Sequence, residues 1–278
     1  MHALATRFKT LSGFAKSHIP LTDDEIRAAA PSIFADAAHE SRSKRYAYIP
    51  TSTVLAGLRQ EGFQPFMCCQ ARTRVEGKQE HTKHMMRLRH QSRINGAEAP
   101  EIILINSHDG SSSYQMLAGV FRFVCQNGLV CGDTLEDFRV RHTGDVVGNV
   151  IEGAYRILNE FDKVDAAKDA MKSVRLNPGE QNAFALAALE LRFDKEEGEA
   201  MPVTPAQILV PLRSEDQADT LWNTFNVSQE NLIRGGIRTR TANNRRTRTR
   251  AVQGIDQNVQ LNRALWRLSE EMAKLKAA

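Results

Sequence analysis

The sequence predicts an α+β protein: an antiparallel sheet backed by helices, followed by a helical C-terminal third that carries a basic β-hairpin. Three observations predict it. Short runs between Gln64 and Leu117 carry β-type residues and are punctuated by Gly- and Asn-containing turns. From Asp145 the apolar period lengthens to that of a helix. Within the helical part, Ile237 to Val252 breaks the pattern with strict alternation of arginine and threonine.

Residues 1 to about 20 read as a loosely patterned leader. Leu21-Thr-Asp-Asp-Glu-Ile26 then starts a helix: Thr22 and Glu25 form a capping box, with Leu21 and Ile26 as its hydrophobic staple. Pro31 stops that helix. A second helix is expected from Thr51 to Glu61, capped by Thr51 or Ser52 and ended by Gly62. Strands follow over Gln64–Val75, Lys83–His90 and Glu101–Asn106, separated by Glu76-Gly-Lys and Asn95-Gly-Ala turns. Asp109-Gly110 between Ile102-Ile-Leu-Ile105 and Ser112-Ser-Tyr-Gln-Met-Leu117 signals a hairpin. Phe121 to Cys125 is compatible with a continuing strand or a buried turn.

Val147, Val150, Ile151, Ala154, Leu158 and Phe161 define one face of a long helix after Asp145. Asn177-Pro178 begins another, with proline at the favoured first position. An acidic linker, Asp194 to Ala200, leads to Thr204-Pro205 and a short helical segment. Ser214 is expected to cap a helix ending at Gly235-Gly236. In the last helix, Leu261, Leu265, Leu268, Met272 and Leu275 form a two-heptad seam. A helix docked on its own core and a contact between subunits of a homo-oligomer both fit that seam. The predicted boundaries are a core domain over 1–175 and a helical region over 176–278, with the hairpin at 237–252.

Among 278 residues the net charge is only +4, but it is segregated. Arg234, Arg238, Arg240, Arg245, Arg246, Arg248 and Arg250 fall in one stretch that contains no acid and no lysine. Alternation with β-branched Thr239, Thr241, Thr247 and Thr249 suits a strand. Asn243-Asn244 can supply the left-handed positions of a turn. The segment therefore folds back as a ribbon with arginines on one face and threonines on the other. Like charges facing each other repel, whereas phosphates would neutralise them and release counterions. Guanidinium groups suit phosphate bidentately. Nucleic acid is the expected partner; an acidic protein surface and a solvated loop are the alternatives. Arg72, Arg74, Lys83, Arg87 and Arg89 are expected to extend the track as a second basic patch.

Other clusters carry less chemistry. His81, His84 and His90 lack a cysteine or carboxylate at zinc spacing, so no metal is expected. Ser107-His108-Asp109 holds the residue types of a hydrolytic triad, but neighbours on an extended chain point apart, and turn roles fit better. Cys68, Cys69, Cys125 and Cys131 read as thiols of a reducing cytoplasm. No phosphate loop or dinucleotide fingerprint is present, so no cofactor is implied. No apolar run is long enough to span a membrane.

Asn106-Ser-His-Asp-Gly-Ser-Ser-Ser-Tyr-Gln115, Phe123-Val-Cys-Gln-Asn-Gly128, Gln229-Glu-Asn-Leu-Ile-Arg-Gly-Gly236 and Asn262-Arg-Ala-Leu-Trp-Arg-Leu268 resemble a widespread family of prophage- and plasmid-encoded proteins. That family is catalogued as a domain of unknown function and includes cryptic-prophage proteins of enterobacteria. The resemblance implies a mobile-element setting, in which recombination or the countering of host defence through a host protein is a common task. The order of one helix, a strand meander and a long helix is similar to the core of Rad52-like single-strand annealing proteins. That likeness implies binding and annealing of single-stranded DNA by a homo-oligomer; it is one of fold alone. A metal-dependent nuclease using His84, His90 or His108 with Asp109 is a further alternative.

Overall fold

The computed structural model describes residues 13–37, 48–73, 75, 77–94, 98–123, 127–131, 138–140, 144–193, 201–241 and 244–277. Arg74, the Asn95 turn, Cys125, the acidic stretch 194–199 and Asn243 lie outside them. The chain divides into two units, residues 1–129 with 135–161, and residues 130–134 with 162–278.

In the first unit, β1 (Phe14–Lys16) is a short edge strand where the sequence suggested only a leader. It pairs with β2 (Phe63–Gln70), Ala15 opposite Cys68. The capping box is present as expected. Glu25 N–H donates to Thr22 Oγ1 and Thr22 N–H to Glu25 Oε2, opening α1 (Asp23–Ala29). A 3₁₀ turn over Pro31–Phe34 follows. The second helix, α2 (Thr51–Gln60), differs at its start: Pro50 is its cap, and the side chain of neither Thr51 nor Ser52 closes the first turn. Thr51 is spent elsewhere.

The sheet then runs as a meander through β3 (His84–His90), β4 (Glu98–Asn106) and β5 (Tyr114–Arg122). Its order is β1-β2-β3-β4-β5-β6, with β6 at Asn127–Val130 and β7 (Phe138–Val140) paired with β5. β4 begins three residues before the expected Glu101. Pro100 fits there because the described β3 pairing reaches only Ile102, so its missing N–H costs no bond to that strand. The β4–β5 hairpin forms as predicted, on a longer loop than Asp109-Gly110 alone suggests. Ser112 N–H donates to Ser107 Oγ at 2.8 Å and Gly110 takes φ +76°. β5 continues to Arg122, which decides between strand and turn at Phe121.

Asp145 caps α3 (Val146–Asn159), accepting from Gly148 N–H. Gly153 lets α3 approach β5 and β7 closely, since a Cβ there would overlap Met116 and Phe138. The helical run predicted to reach Phe161 on one axis is interrupted at Glu160, where α4 (Phe161–Ser173) begins.

In the second unit, α5 (Pro178–Arg192) starts on an Asn177–Glu180 capping box with Pro178 at the first position. The four-residue α6 (Pro205–Ile208) follows. Ser214 starts only a 3₁₀ turn; α7 (Leu221–Arg234) is capped instead by Thr220, which accepts from Asn223 N–H. Arg213 explains the displacement. It gathers Asp216 and, bidentately, Glu230 at 2.5 and 2.7 Å, pinning residues 213–216 against α7. Trp222, Phe225 and Trp266 form an edge-to-face cluster between α7 and α8 (Ile255–Ala277). Leu261 and Leu265 of the predicted seam are buried, while Leu275 is exposed. Among the described residues, no helix is long and apolar enough to cross a membrane.

Candidate nucleic-acid interface

The arginine stretch forms the expected ribbon. β8 (Arg238–Arg240) pairs with β9 (Arg246–Arg248), placing Arg238 opposite Arg248, Thr239 opposite Thr247 and Arg240 opposite Arg246. Thr241 N–H donates to Arg245 O, and Asn244 N–H to Thr241 O. Asn244 adopts φ +58°. This closes a three-residue loop ending in the left-handed region, which Asn tolerates better than most residues.

Three of the four threonines engage backbone through their hydroxyls. Thr239 donates to the Pro202 carbonyl, Thr249 Oγ1 accepts from Ile237 N–H, and Thr241 Oγ1 accepts from Arg245 N–H. Gln207 Nε2 donates to Arg238 O at 2.9 Å. The ribbon is thus fastened to the stretch around α6. At its foot, Gly235 and Gly236 take φ +65° and +83°; a Cβ on Gly235 would overlap the Arg250 carbonyl.

The seven predicted arginines of this region, Arg234, Arg238, Arg240, Arg245, Arg246, Arg248 and Arg250, are all exposed. Arg240 Nη1 donates to Asn244 Oδ1, and Arg248 Nη1 to Gly236 O. Only Arg234 comes within ion-pair distance of an acid among the described residues, 3.9 Å from Glu230. Two cross-strand pairs of like charge therefore stand with no described carboxylate to offset them. Each such pair costs a few tenths of a kcal/mol, up to ~1. An anion that bridges them removes that cost.

The second patch is different from the one expected. Arg87 and Arg89 turn inward and are 4% and 1% exposed, closed on Glu101. Arg87 Nη1 donates to Glu101 Oε2 at 3.0 Å and Arg89 Nε to Oε1 at 2.9 Å. Arg87 also donates to the carbonyls of Gly128 and Leu129, and Arg89 lies over the Phe121 and Phe66 rings at 3.9 and 4.3 Å. Burial pulls the Arg89 pKa down while Glu101 opposes it. Their guanidiniums are committed to the interior, so no solvent track runs through them. Arg72 is exposed and Lys83 half-buried in the same unit.

A cluster that sequence reasoning missed lies at one end of the sheet. Thr51 Oγ1 has His84 Nε2 at 2.9 Å, Asn106 Nδ2 at 3.0 Å, His108 Nε2 at 3.1 Å and the Tyr114 hydroxyl at 3.2 Å. One hydrogen and two lone pairs serve at most three of them. His84 Nδ1 lies 3.0 Å from Ser32 Oγ. Burial, with His108 beside it, lowers the His84 pKa to about 3, so its ring is neutral at pH 7. The residues come from positions 32 to 114 and converge only in the fold. Ser107 and Asp109 act in the turn, the latter accepting from Ser111 N–H, as the sequence suggested. Cys68 is buried, which raises its thiol to about 12 and suppresses the thiolate. Among the described residues, no group of three His, Cys, Asp or Glu side chains is placed to hold a metal ion.

Comparison with known proteins adds a family. Residues 38–266 match the model described as Domain of unknown function (DUF932). The chain belongs to the DUF932 family. It is 53% identical over 272 residues to the UPF0380 protein YafZ of Escherichia coli (strain K12), covering 98% of each chain. It is 52% identical over the same length to UPF0380 protein YfjQ of that organism, again with 98% of each covered. No solved structure matches the chain. The match to the family model takes in all of β8 and β9.

Proposed function

We propose that the β8–β9 ribbon binds the sugar–phosphate backbone of nucleic acid without reading its sequence, and that single-stranded DNA in recombination of a mobile element is its substrate. One observation carries this reading: Arg238, Arg240, Arg246 and Arg248 sit in register on one exposed face with no acidic partner among the described residues. Phosphate contacts of this kind position a ligand without specifying a base. No aromatic residue stands between Arg234 and Val252, which favours holding the backbone over stacking bases on rings. Strand annealing is the narrower reading, and its sole support is the element order α2, β2 to β5, α3, an analogy of fold to the Rad52-type core.

The test is oligonucleotide binding across a salt series. With five contacts to a single strand, replacing Arg238, Arg240, Arg246, Arg248 and Arg250 by glutamine lowers the slope of log K against log salt by about 3.5. An unchanged slope with a folded variant removes the ribbon from the interface. A partner captured from nuclease-treated lysate through the same arginines would assign the face to an acidic protein instead.

A further inference from the structure

The ribbon's foot holds a cation that its sequence pattern does not include. Arg192 is the last residue of α5 and lies 46 residues before β8 begins. Its Nη2 donates to the backbone carbonyl of Arg250 at 3.2 Å, which ties the exit of β9 to α5. Its Nε is buried with no hydrogen-bond partner. Burial lowers its pKa, and no described carboxylate lies within ion-pair distance. The guanidinium lies against the Phe193 ring, 5.1 Å from the centroid, so what offsets the charge is an aromatic face and the carbonyl end of a helix. The guanidinium thus stands beside the last arginine of the ribbon with no described acid within ion-pair distance, as Arg238, Arg240, Arg246 and Arg248 do. It fits a site that an anion completes.

The geometry points to Arg192 as a phosphate-binding residue that continues the arginine track from the foot of the ribbon onto the end of α5, its ligand a phosphodiester of the bound strand. This rests on the reading of the ribbon as a backbone-binding face. Arg192 then has two roles: one donor holds Arg250 in place, and the charge attracts the phosphate. The buried Nε is closed to solvent, so the contact falls to the Nη edge of the guanidinium.

The two roles separate by substitution. Arg192→Gln removes the charge and, two atoms shorter, no longer reaches the Arg250 carbonyl; Arg192→Lys keeps the charge but loses the planar Nη2 donor. With the full chain and a fluorescent single-stranded oligonucleotide, Arg192→Gln is expected to lower the salt slope by about 0.7 and affinity roughly fivefold at 0.1 M salt. Arg192→Lys is expected to retain the wild-type slope. Thermal unfolding of both variants checks that they fold. An unchanged slope in Arg192→Gln overturns the inference, as does an equal fall in both variants, which would mark Arg192 as an anchor only. If wild type binds and the five-arginine variant loses its slope while Arg192→Gln does not, the inference fails alone. If wild type shows no salt-dependent binding, the ribbon reading fails with it.

Discussion

Arg87 and Arg89 in β3 and Arg238 and Arg240 in β8 have the same local sequence pattern, two arginines separated by one residue on a strand. Their fates are opposite. The first pair meets Glu101 on the neighbouring strand and disappears into the interior; the second meets Arg248 and Arg246 and stays in water. Alternation determines which residues share a face. What stands opposite determines whether that face is structure or surface.

The largest expected effect tests the buried side. Glu101→Gln leaves two buried guanidiniums without their acid and should cost about 3–5 kcal/mol in urea unfolding, whereas the five ribbon substitutions should change stability by less than ~1 kcal/mol. If the two variants are equally stable, the contrast between the pairs is false. Next comes the foot of the ribbon. Gly235→Ala must place a side chain at φ +65° against the Arg250 carbonyl, and a loss of about 2 kcal/mol is expected with weaker oligonucleotide binding.

A comparable effect belongs to the sheet unit and depends on pH. His84 titrates near 6.5 when unfolded and at about 3 when folded, so below pH 6.5 the unfolded chain binds the extra proton. Stability contributed by neutral His84 is complete above 6.5 and declines as pH falls. The decline is about 2 kcal/mol by pH 5, read from urea midpoints. Arg→Gln changes in the ribbon should leave that decline intact, and His84→Gln should flatten it. The smallest effect is at the loop: Asn244→Ala should cost about 1 kcal/mol at φ +58°, while Asn244→Gly should be near neutral by the same measurement.

Features written in consecutive residues were legible in the sequence. The Thr22–Glu25 box, the Asn177-Pro178 helix start, the Gly235-Gly236 stop and the ribbon itself each depend on neighbours within ten positions. Features that depend on partners farther along the chain were not. Glu101 is 12 and 14 residues from the arginines it neutralises, and nothing local marks it as their partner. Thr51 fits a helix cap by type, yet His84 and His108 compete for its hydroxyl from 33 and 57 residues away and win. Arg192 was invisible for the same reason: its link to the ribbon spans 58 residues.

The solvent-facing arginines of β8 and β9 are proposed to hold a nucleic-acid backbone. The most direct measurement is the salt dependence of single-stranded oligonucleotide binding by wild type and the five-arginine glutamine variant, with unfolding curves for both. A slope lower by about 3.5 is expected in a variant that unfolds like wild type. Equal slopes in two equally stable proteins would contradict it.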